Sequence, residues 1–293
     1  MNLFSISQLS LYSGIKPHTI RVWEQRYNAL QPARSEGNTR YYSSDQLRRL
    51  LNIVSLMESD YKVSELCSMP DDQLSEMVLE RKDATASEAT EYYVSQLISA
   101  GMAYQQDRFE KLFEECLVNY GLSQTYKIVI YPMLVRVGLM WSANAIPIVQ
   151  EHFISNIVRQ KILRTIDTLA PAGPEAEKWV LFLPEDEYHE IGLLFAAFII
   201  RESGRKVVYL GSSVSADAVL TALDEVKPQY LLLFQVRYNQ IEDVQKYLSE
   251  LEGGFKGKTI YVSGNSKLLS QINCQNKINW LQDIDSLEKM LTI

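Results

Sequence analysis

The first part of the chain alternates short apolar and polar stretches that predict a small folded head. Isolated apolar residues at 4–13 indicate a short helix, and a Ser-Gly turn follows it. A second helix opens at Pro17, because proline is tolerated in a first helical turn. Residues 39–42 are aromatic and β-prone, as in a hairpin, and Ser44 can cap a third helix.

The middle of the chain has the periodicity of helices. Residues 69–90 are polar, and we expect a linker there. Beyond it, apolar residues at three- and four-residue spacing predict four helices that pack as a bundle. These segments lie near 90–103, 106–119, 122–141 and 148–168.

The period changes after a Pro- and Gly-rich join at 171–174. Residues 178–184 are a continuous apolar run, which is typical of a strand buried on both faces. Later strands near 207–211, 230–235 and 259–264 alternate with helices, and a last strand and helix follow them. This alternation predicts a parallel, doubly wound sheet of the Rossmann-like, flavodoxin-like kind.

These elements predict a multidomain protein with three parts. An all-α winged helix-turn-helix head covers 1–72, a four-helix bundle covers 85–170, and a Rossmann-like α/β domain covers 176–293. A length of 293 residues suits two or three domains of roughly 100–200 residues each.

Charge is distributed unevenly between the head and the remainder. The first 50 residues carry seven lysines and arginines against three acidic residues, whereas the remainder carries 22 against 33. A basic head on an acidic body is expected if only the head contacts a polyanion, although a solvated basic surface would look the same.

The composition narrows the cellular setting. No apolar run reaches the roughly 18 residues of a membrane helix, and the first residues lack the features of a signal peptide. We therefore expect a cytoplasmic protein with no membrane partner. Cys67, Cys116 and Cys274 are scattered and never paired as CxxC, so we expect reduced, mostly buried thiols.

The head has a specific motif spread over a helix, a turn and the wing: Thr19, Ile20, Arg21, Trp23, Glu24, Arg26, Tyr27, Pro32, Arg34, Arg40, Tyr42 and Leu47. With this spacing it resembles the DNA-binding domain of the MerR (mercury-resistance regulator) family. The resemblance implies double-stranded promoter DNA as a partner, the second helix in the major groove, and dimerisation.

Candidate DNA contacts lie at the start of the second helix and on the wing: Lys16, His18, Thr19, Arg21, Arg34, Arg40 and Tyr41. Contacts to phosphates from the wing would fix position rather than sequence. Arg26 is either a further DNA contact or a surface residue paired with Glu24 or another acid. Trp23 is apolar and in mid-helix, so we expect it in the core.

A second motif follows the first strand of the α/β domain, where ligands of open parallel sheets bind. Glu187, His189 and Gly192 form the pattern E-x-H-x-x-G, which resembles the D-x-H-x-x-G loop of cobalamin-binding domains. The resemblance implies that His189 is the lower axial cobalt ligand and that Glu187 orients its imidazole. It also implies that Gly192 lets the nucleotide tail pass close to the backbone. From the residue alone, His189 could equally be hydrogen-bonded and solvated.

The strand ends that follow concern the nucleotide tail. Small residues there could line a cavity for it: Gly211, Ser212 and Ser213 after the second strand, and Gly264 after the fourth. Two positions depart from the family pattern, because Gln235 stands where a serine is usual and Ser263 where the first of two glycines is usual. We expect tail binding to be altered or weakened.

The bundle carries a third motif, Trp141 followed after a loop by Glu151 and His152. It resembles the helical cap of cobalamin domains, which implies Trp141 over the upper face of the cofactor with Glu151 and His152 beside the upper ligand. An ordinary tryptophan in a bundle core is the alternative. In light-sensing members a histidine follows the tryptophan, and Ser142 is a poor substitute as a cobalt ligand.

In this order, the three parts resemble the CarH/LitR group of cobalamin-dependent regulators of carotenoid genes. The resemblance implies a DNA-binding repressor rather than an enzyme, a homo-oligomer (dimer or tetramer), and control by a cobalamin, with light-sensitive adenosylcobalamin the expected form. The alternative is a regulator whose α/β domain binds a protein partner instead of cobalamin. A corrinoid-carrying methyl-transfer subunit is disfavoured, since it needs no DNA-binding head.

Overall fold

The computed structural model describes residues 3–35, 37–57, 61–80, 86–142, 146–237, 240–272 and 278–291. The chain forms two compact units, Met1–Val158 and Arg159–Ile293. Among the described residues, no helix is both long enough and apolar enough to cross a membrane.

The first unit begins with three helices and a three-stranded antiparallel sheet. The helices are α1 (Ile6–Ser13), α2 (Pro17–Tyr27) and α3 (Ser44–Leu56); the strands are β1 (Leu3–Phe4), β2 (Ala33–Arg34) and β3 (Arg40–Ser43), in the order β1-β3-β2. The predicted head helices and the wing hairpin are confirmed. The cap of α3 is Ser43 rather than Ser44, since its hydroxyl accepts from the backbone N–H of Gln46 at 3.3 Å.

The core of this head is apolar and tightly closed. Leu9, Ile20 and Leu47 are fully buried, and Trp23 is 6% exposed, so the prediction that Trp23 lies in the core is confirmed. Phe4 and Tyr12 meet edge to face at 5.9 Å between ring centroids. Such rings bury a large apolar area for few residues, which a small head requires.

The predicted linker over 69–90 is wrong for most of its length. Helix α5 (Asp71–Glu80) occupies the first half of this region, directly after the short helix α4 (Val63–Ser68), and the next helix begins at Ala86. Helix α5 was not predicted because its segment is mostly polar. Two buried residues four positions apart, Leu74 and Val78, are enough to give the helix one buried face. The acidic first turn of α5 also favours a helix start.

The four predicted helices of the middle region are confirmed, with one irregularity. They are α6 (Ala86–Met102), α7 (Gln106–Thr125), α8 (Tyr131–Ser142) and α9 (Ile148–Asp167). Gly121 inside α7 has φ 68° and ψ 171°, which breaks the helix there. A π-helical turn, Tyr126–Ile130, then leads into α8. Helix α6 packs against α3, α7 and α8.

The second unit contains a five-stranded parallel sheet. Its strands are β4 (Lys178–Pro184), β5 (Lys206–Val214), β6 (Tyr230–Gln235), β7 (Thr259–Gly264) and β8 (Ile278–Trp280), in the order β5-β4-β6-β7-β8. The connecting and following helices are α10 (Glu190–Glu202), α11 (Ala216–Val226), α12 (Ile241–Gly254), α13 (Ser266–Leu269) and α14 (Ile284–Leu291). This order is the flavodoxin-like one, so the predicted doubly wound sheet is confirmed.

The two described cysteines agree with the expectation of buried thiols. Cys67 and Cys116 are free and buried, whereas Cys274 lies outside the described residues. Burial raises the pKa of the Cys67 thiol to about 11 and also raises that of Cys116. Both are therefore protonated at neutral pH.

Arg49 connects three segments of the head. Its Nε donates to the carbonyl of Ala29 at 2.7 Å, and its two terminal nitrogens donate to the carbonyls of Met69 (2.9 Å) and Cys67 (2.7 Å). It also forms an ion pair with Asp71. One guanidinium on α3 thus joins the turn after α2, the end of α4 and the start of α5.

We expect Arg49→Ala to lower the free energy of unfolding of the head by about 2–3 kcal/mol, because partly buried carbonyls lose their donors. Arg48→Ala is the matched control: Arg48 is half-exposed and its ion pair is with the exposed Asp45, so its loss should cost less than about 0.5 kcal/mol. Urea denaturation followed by circular dichroism measures both. Equal stability of the two variants would contradict the assigned role of Arg49.

Candidate functional site

A buried carboxylate organises the carboxyl edge of the sheet. The Glu187 side chain is fully buried. Its Oε1 accepts from the backbone N–H groups of Tyr188 (2.9 Å) and His189 (3.0 Å), and its Oε2 accepts from those of Val236 (2.8 Å) and Arg237 (2.7 Å). The loop after β4 is therefore joined to the loop after β6.

These hydrogen bonds keep Glu187 ionised. Burial by itself raises the pKa of the carboxyl, but the donors from His189 and from the Arg237 backbone more than offset this and lower the pKa to about 2. A buried carboxylate is stable only when such donors replace its lost hydration. The loop thus keeps a permanent negative charge beneath His189 at neutral pH.

His189 lies at the start of α10 with its Nδ1 2.5 Å from Oε1 of Glu187. Its side chain is 58% exposed. Because Nδ1 faces the carboxylate, Nε2 is on the opposite side of the ring. Metal-binding histidines are commonly oriented in this way by a second-shell carboxylate. The donor chemistry of this pair therefore fits an axial ligand, and the hydrogen bond predicted between Glu187 and His189 is present.

The end of β5 is tied to the same loop. The Ser213 hydroxyl accepts from the backbone N–H of Asp186 at 3.2 Å and from the Tyr188 hydroxyl at 3.4 Å, while the Ser213 N–H donates to the Glu187 carbonyl at 3.2 Å. Asp186 and Ser213 both have positive φ, at 62° and 56°. Ser213 thus has a structural role in the loop, which its small size alone did not reveal.

Glycine is required at two of the predicted positions for different reasons. Gly211 has φ 90°, and a Cβ there would meet nothing within 4 Å, so the surface beside it is open. At Gly264, with φ 131°, a Cβ would lie 2.1 Å from the carbonyl oxygen of Gln235. Ser212 is exposed beside Gly211, and Gly192 lies in the first turn of α10.

The two departures from the family pattern have local roles at this edge. The Gln235 side chain is buried, and its Nε2 donates to the carbonyl of Arg237 at 2.9 Å. The Ser263 hydroxyl donates to the carbonyl of Leu281 at 2.9 Å. The N–H of Asn265 donates to the Gln235 carbonyl at 2.8 Å. The ends of β6 and β7 are consequently held in close contact.

Trp141, Glu151 and His152 belong to the first unit. Trp141, in the last turn of α8, is 43% exposed, so the alternative of an ordinary core tryptophan is wrong. Glu151 and His152, in the first turns of α9, form a pair with 2.8 Å between Oε2 and Nδ1. Ser142 donates to the carbonyl of Gly138 at 2.8 Å. Leu139 of α8 and Ile148 of α9 are also exposed.

The candidate DNA contacts divide into two groups. The side chains of Lys16, His18, Arg21, Arg26 and Arg34 are exposed, whereas Thr19, Arg40 and Tyr41 are half-buried. Lys16 is the N-cap of α2, with proline following it. The start of the helix therefore presents its basic residues and its unpaired backbone N–H groups in one place.

Glu24 connects α2 to the wing. Its Oε2 is 3.2 Å from Nε of Arg40, and its other oxygen accepts from the Tyr42 hydroxyl. The partner of Glu24 is thus Arg40 and not Arg26. Arg34 donates to the Asn38 side chain at 2.6 Å across the turn of the hairpin. The contacts of Glu24 with the wing and of Arg34 with Asn38 were not predicted from the sequence, because they join residues far apart in the chain or across a turn.

Two family models match parts of this chain. Residues 4–68 match the model of the MerR HTH family regulatory protein, and residues 93–164 match that of a B12 binding domain. The transcriptional repressor CarH of Myxococcus xanthus is 27% identical over 268 residues, which are 90% of this chain and 89% of that protein. The repressor CarA of the same organism is 27% identical over 249 residues, 84% of this chain and 81% of that protein.

A solved structure supports the fold. The monomethylamine corrinoid protein of Methanosarcina barkeri superposes with a TM-score of 0.53 at 16% identity, over 66% of this chain and 94% of that one. At this identity the similarity concerns the fold alone.

We expect Glu187→Gln to loosen the two loops, because an amide N–H₂ cannot accept a hydrogen bond from a backbone N–H. Hydrogen–deuterium exchange should become faster at Val236 and Arg237 if the amide nitrogen takes the place of Oε2. It should become faster at Tyr188 and His189 if the nitrogen takes the place of Oε1. Glu185→Gln is the control, since Glu185 is exposed in the same loop. Unchanged exchange at all four amides in Glu187→Gln would show that the carboxylate does not hold the loops.

Proposed function

We propose that this chain, which carries a MerR helix-turn-helix region and a B12-binding domain and is homologous to the CarH and CarA repressors, represses transcription in response to a cobalamin. The observation that carries the proposal is the Glu187–His189 pair at the carboxyl edge of the sheet. A half-exposed imidazole oriented by a buried carboxylate suits a metal ligand, and the chain also has a DNA-binding head.

In this proposal His189 would hold the cobalt through Nε2, and Glu187 would keep the ring in that orientation. Gly192, Gly211, Ser212, Ser213 and Gly264 would contact the nucleotide tail. Trp141, Glu151 and His152 would be further contacts of the cofactor. Bound cobalamin would supply a cobalt centre with an exchangeable upper ligand, and adenosylcobalamin is the form that we propose. All of these residues act by binding and orienting, and none by catalysis.

The regulatory step is a change in assembly. A ligand that binds one oligomeric state more tightly shifts the population towards it by the difference in affinity. Bringing two or more heads together raises the avidity for a promoter with repeated half-sites. Ser142 donates to its own helix and is a weak cobalt ligand, so we propose that sensing of cobalamin does not depend on a second histidine after light exposure.

A second candidate has a specific observation in its favour. Gln235 is buried, and the ends of β6 and β7 are in close contact at the positions associated with the nucleotide tail. An α/β domain with this edge could instead bind a protein partner. Binding of corrin by the purified chain distinguishes the two candidates.

We expect His189→Ala to abolish binding of adenosylcobalamin added in the dark. The measurement is size-exclusion chromatography with absorbance at protein and corrin wavelengths. In the parent protein corrin should co-elute, and the protein peak should move to a larger size. His18→Ala, which changes the head only, should still bind corrin. If the parent protein elutes without corrin, the α/β domain is not a cobalamin sensor and the protein-partner candidate stands.

We expect Arg21→Ala to weaken DNA binding about 10-fold, because a side chain at the start of the recognition helix contacts bases or phosphates. A duplex selected from a random pool by the parent protein serves as the target. If the contact is to phosphate, the slope of log affinity against log salt should also fall by about one. Lys246→Ala in α12 is the control. If both variants bind DNA with equal affinity, Arg21 does not contact the DNA.

A further inference from the structure

The turn that leads into the DNA-reading helix α2 lies against helix α8. Gly14 ends α1 in the left-handed conformation, with φ 74°. The Ser13 hydroxyl fixes this turn by donating to the Leu9 carbonyl at 2.7 Å and accepting from the Ile15 N–H at 3.2 Å. A Cβ at Gly14 would lie 3.5 Å from Nη2 of Arg136 in α8. The guanidinium therefore lies beside the turn, at a distance where a side-chain carbon at position 14 would touch it, and α1 packs against α8.

Arg136 is held in this position by Glu91 of α6. Nη1 is 2.6 Å from Oε1, and Nη2 is 2.8 Å from Oε2. The two side chains are only 18% and 31% exposed. A partly buried, two-point pair defines both the position and the orientation of the guanidinium, unlike an exposed single-point pair.

The head is also fixed to α6 at another place, through α3. Gln96 donates through Nε2 to Oγ of Ser55 at 2.8 Å and to Oδ1 of Asn52 at 3.2 Å. Its Oε1 accepts from Arg108 of α7 at 2.5 Å. Buried polar contacts require a specific geometry, so α3 is held in one orientation on α6. Helix α8 meets the head separately, through α1 and beside the turn that follows it.

Helix α8 thus has the turn of the head at one point and Trp141 near its end. Arg136 and Trp141 are five residues apart on this helix. If the end of α8 that carries Trp141 is displaced, Arg136 can transmit this movement to the start of α2, while α3 keeps its position on α6. Small shifts of packed helices are a common form of switching because their interfaces rearrange as units.

We infer that Arg136 is a positioning residue that couples Trp141 to the DNA-reading helix α2, so that contact of a corrinoid with Trp141 changes the affinity for DNA. The inference rests on the proposed function, since it takes Trp141 as a ligand contact. Arg136 itself contacts neither DNA nor corrin in this scheme; it sets the position of the turn at Gly14.

The test measures the DNA affinity of the full chain with and without adenosylcobalamin in the dark, on the selected duplex. The ratio of the two dissociation constants is the coupling, which in allosteric proteins is roughly 5–150-fold. In Arg136→Gln we expect this ratio to fall about threefold or more, because the part of the coupling that passes through α8 is lost while the part that comes from assembly remains. The ligand-free DNA affinity, the corrin affinity and the melting temperature should stay close to those of the parent protein.

Three further variants guard against a trivial loss of structure. Glu91→Gln releases Arg136 and should reduce the coupling to the same extent. Gly14→Asn tolerates the left-handed backbone and places a side chain against the guanidinium, since its Cβ would lie 3.5 Å from Nη2, so it should reduce the coupling with the fold intact. Lys246→Gln removes a cation from the exposed pair with Glu250 and should keep the coupling.

The outcomes separate the two levels of the proposal. If the parent protein shows coupling and both Arg136→Gln and Gly14→Asn keep it, Arg136 does not carry it and the inference is overturned. Should Arg136→Gln fail to fold, Gly14→Asn decides alone. If the parent protein binds no corrin, or if corrin does not change its DNA affinity, the proposed function is wrong. The inference is then wrong with it.

Discussion

The Glu187 carboxylate is the interaction on which the sheet edge depends. A buried charge of this kind is costly unless each oxygen receives donors. Here four backbone N–H groups and the His189 ring provide them. Together they hold the loop after β4, the start of α10 and the loop after β6. The orientation of His189 is a consequence of this arrangement, because its ring nitrogen is one of the donors.

The glutamate explains why the motif can differ from the usual aspartate pattern. Its side chain is one methylene longer, and its second oxygen reaches the N–H groups of Val236 and Arg237. The adjoining Gln235 is buried and donates to the carbonyl of Arg237. The departures at 187 and 235 therefore lie in one connected network. Their effects on a ligand should be considered together, since contacting residues do not act additively.

The head follows the same principle, with a cation, Arg49, in one place and a carboxylate, Glu24, in another. Arg49 satisfies three carbonyls at the junction of α3 with α4 and α5, and Glu24 joins α2 to the wing through Arg40 and Tyr42. Arg40 thus serves the fold of the wing as well as any contact with DNA. Charged side chains that satisfy backbone groups or each other set the geometry of loops, which apolar packing alone leaves adjustable.

The sequence by itself determined the order and type of most of the elements. The long helices of the middle region and the strands 178–184, 230–235 and 259–264 followed from periodicity, because each buries a regular face. The motifs around Arg21 and His189 followed from residue type and spacing. Helix α5 was missed because its two buried residues are too few to produce a visible period.

Only the tertiary structure decided which side chains meet. The pairs Glu187 with Arg237, Arg136 with Glu91, and Glu24 with Arg40 join residues that are 50, 45 and 16 positions apart. No local pattern encodes such contacts, since they depend on how strands and helices are brought together. The exposure of Trp141 was likewise undecidable from the chain, because a tryptophan on a helix can face either a core or an open surface.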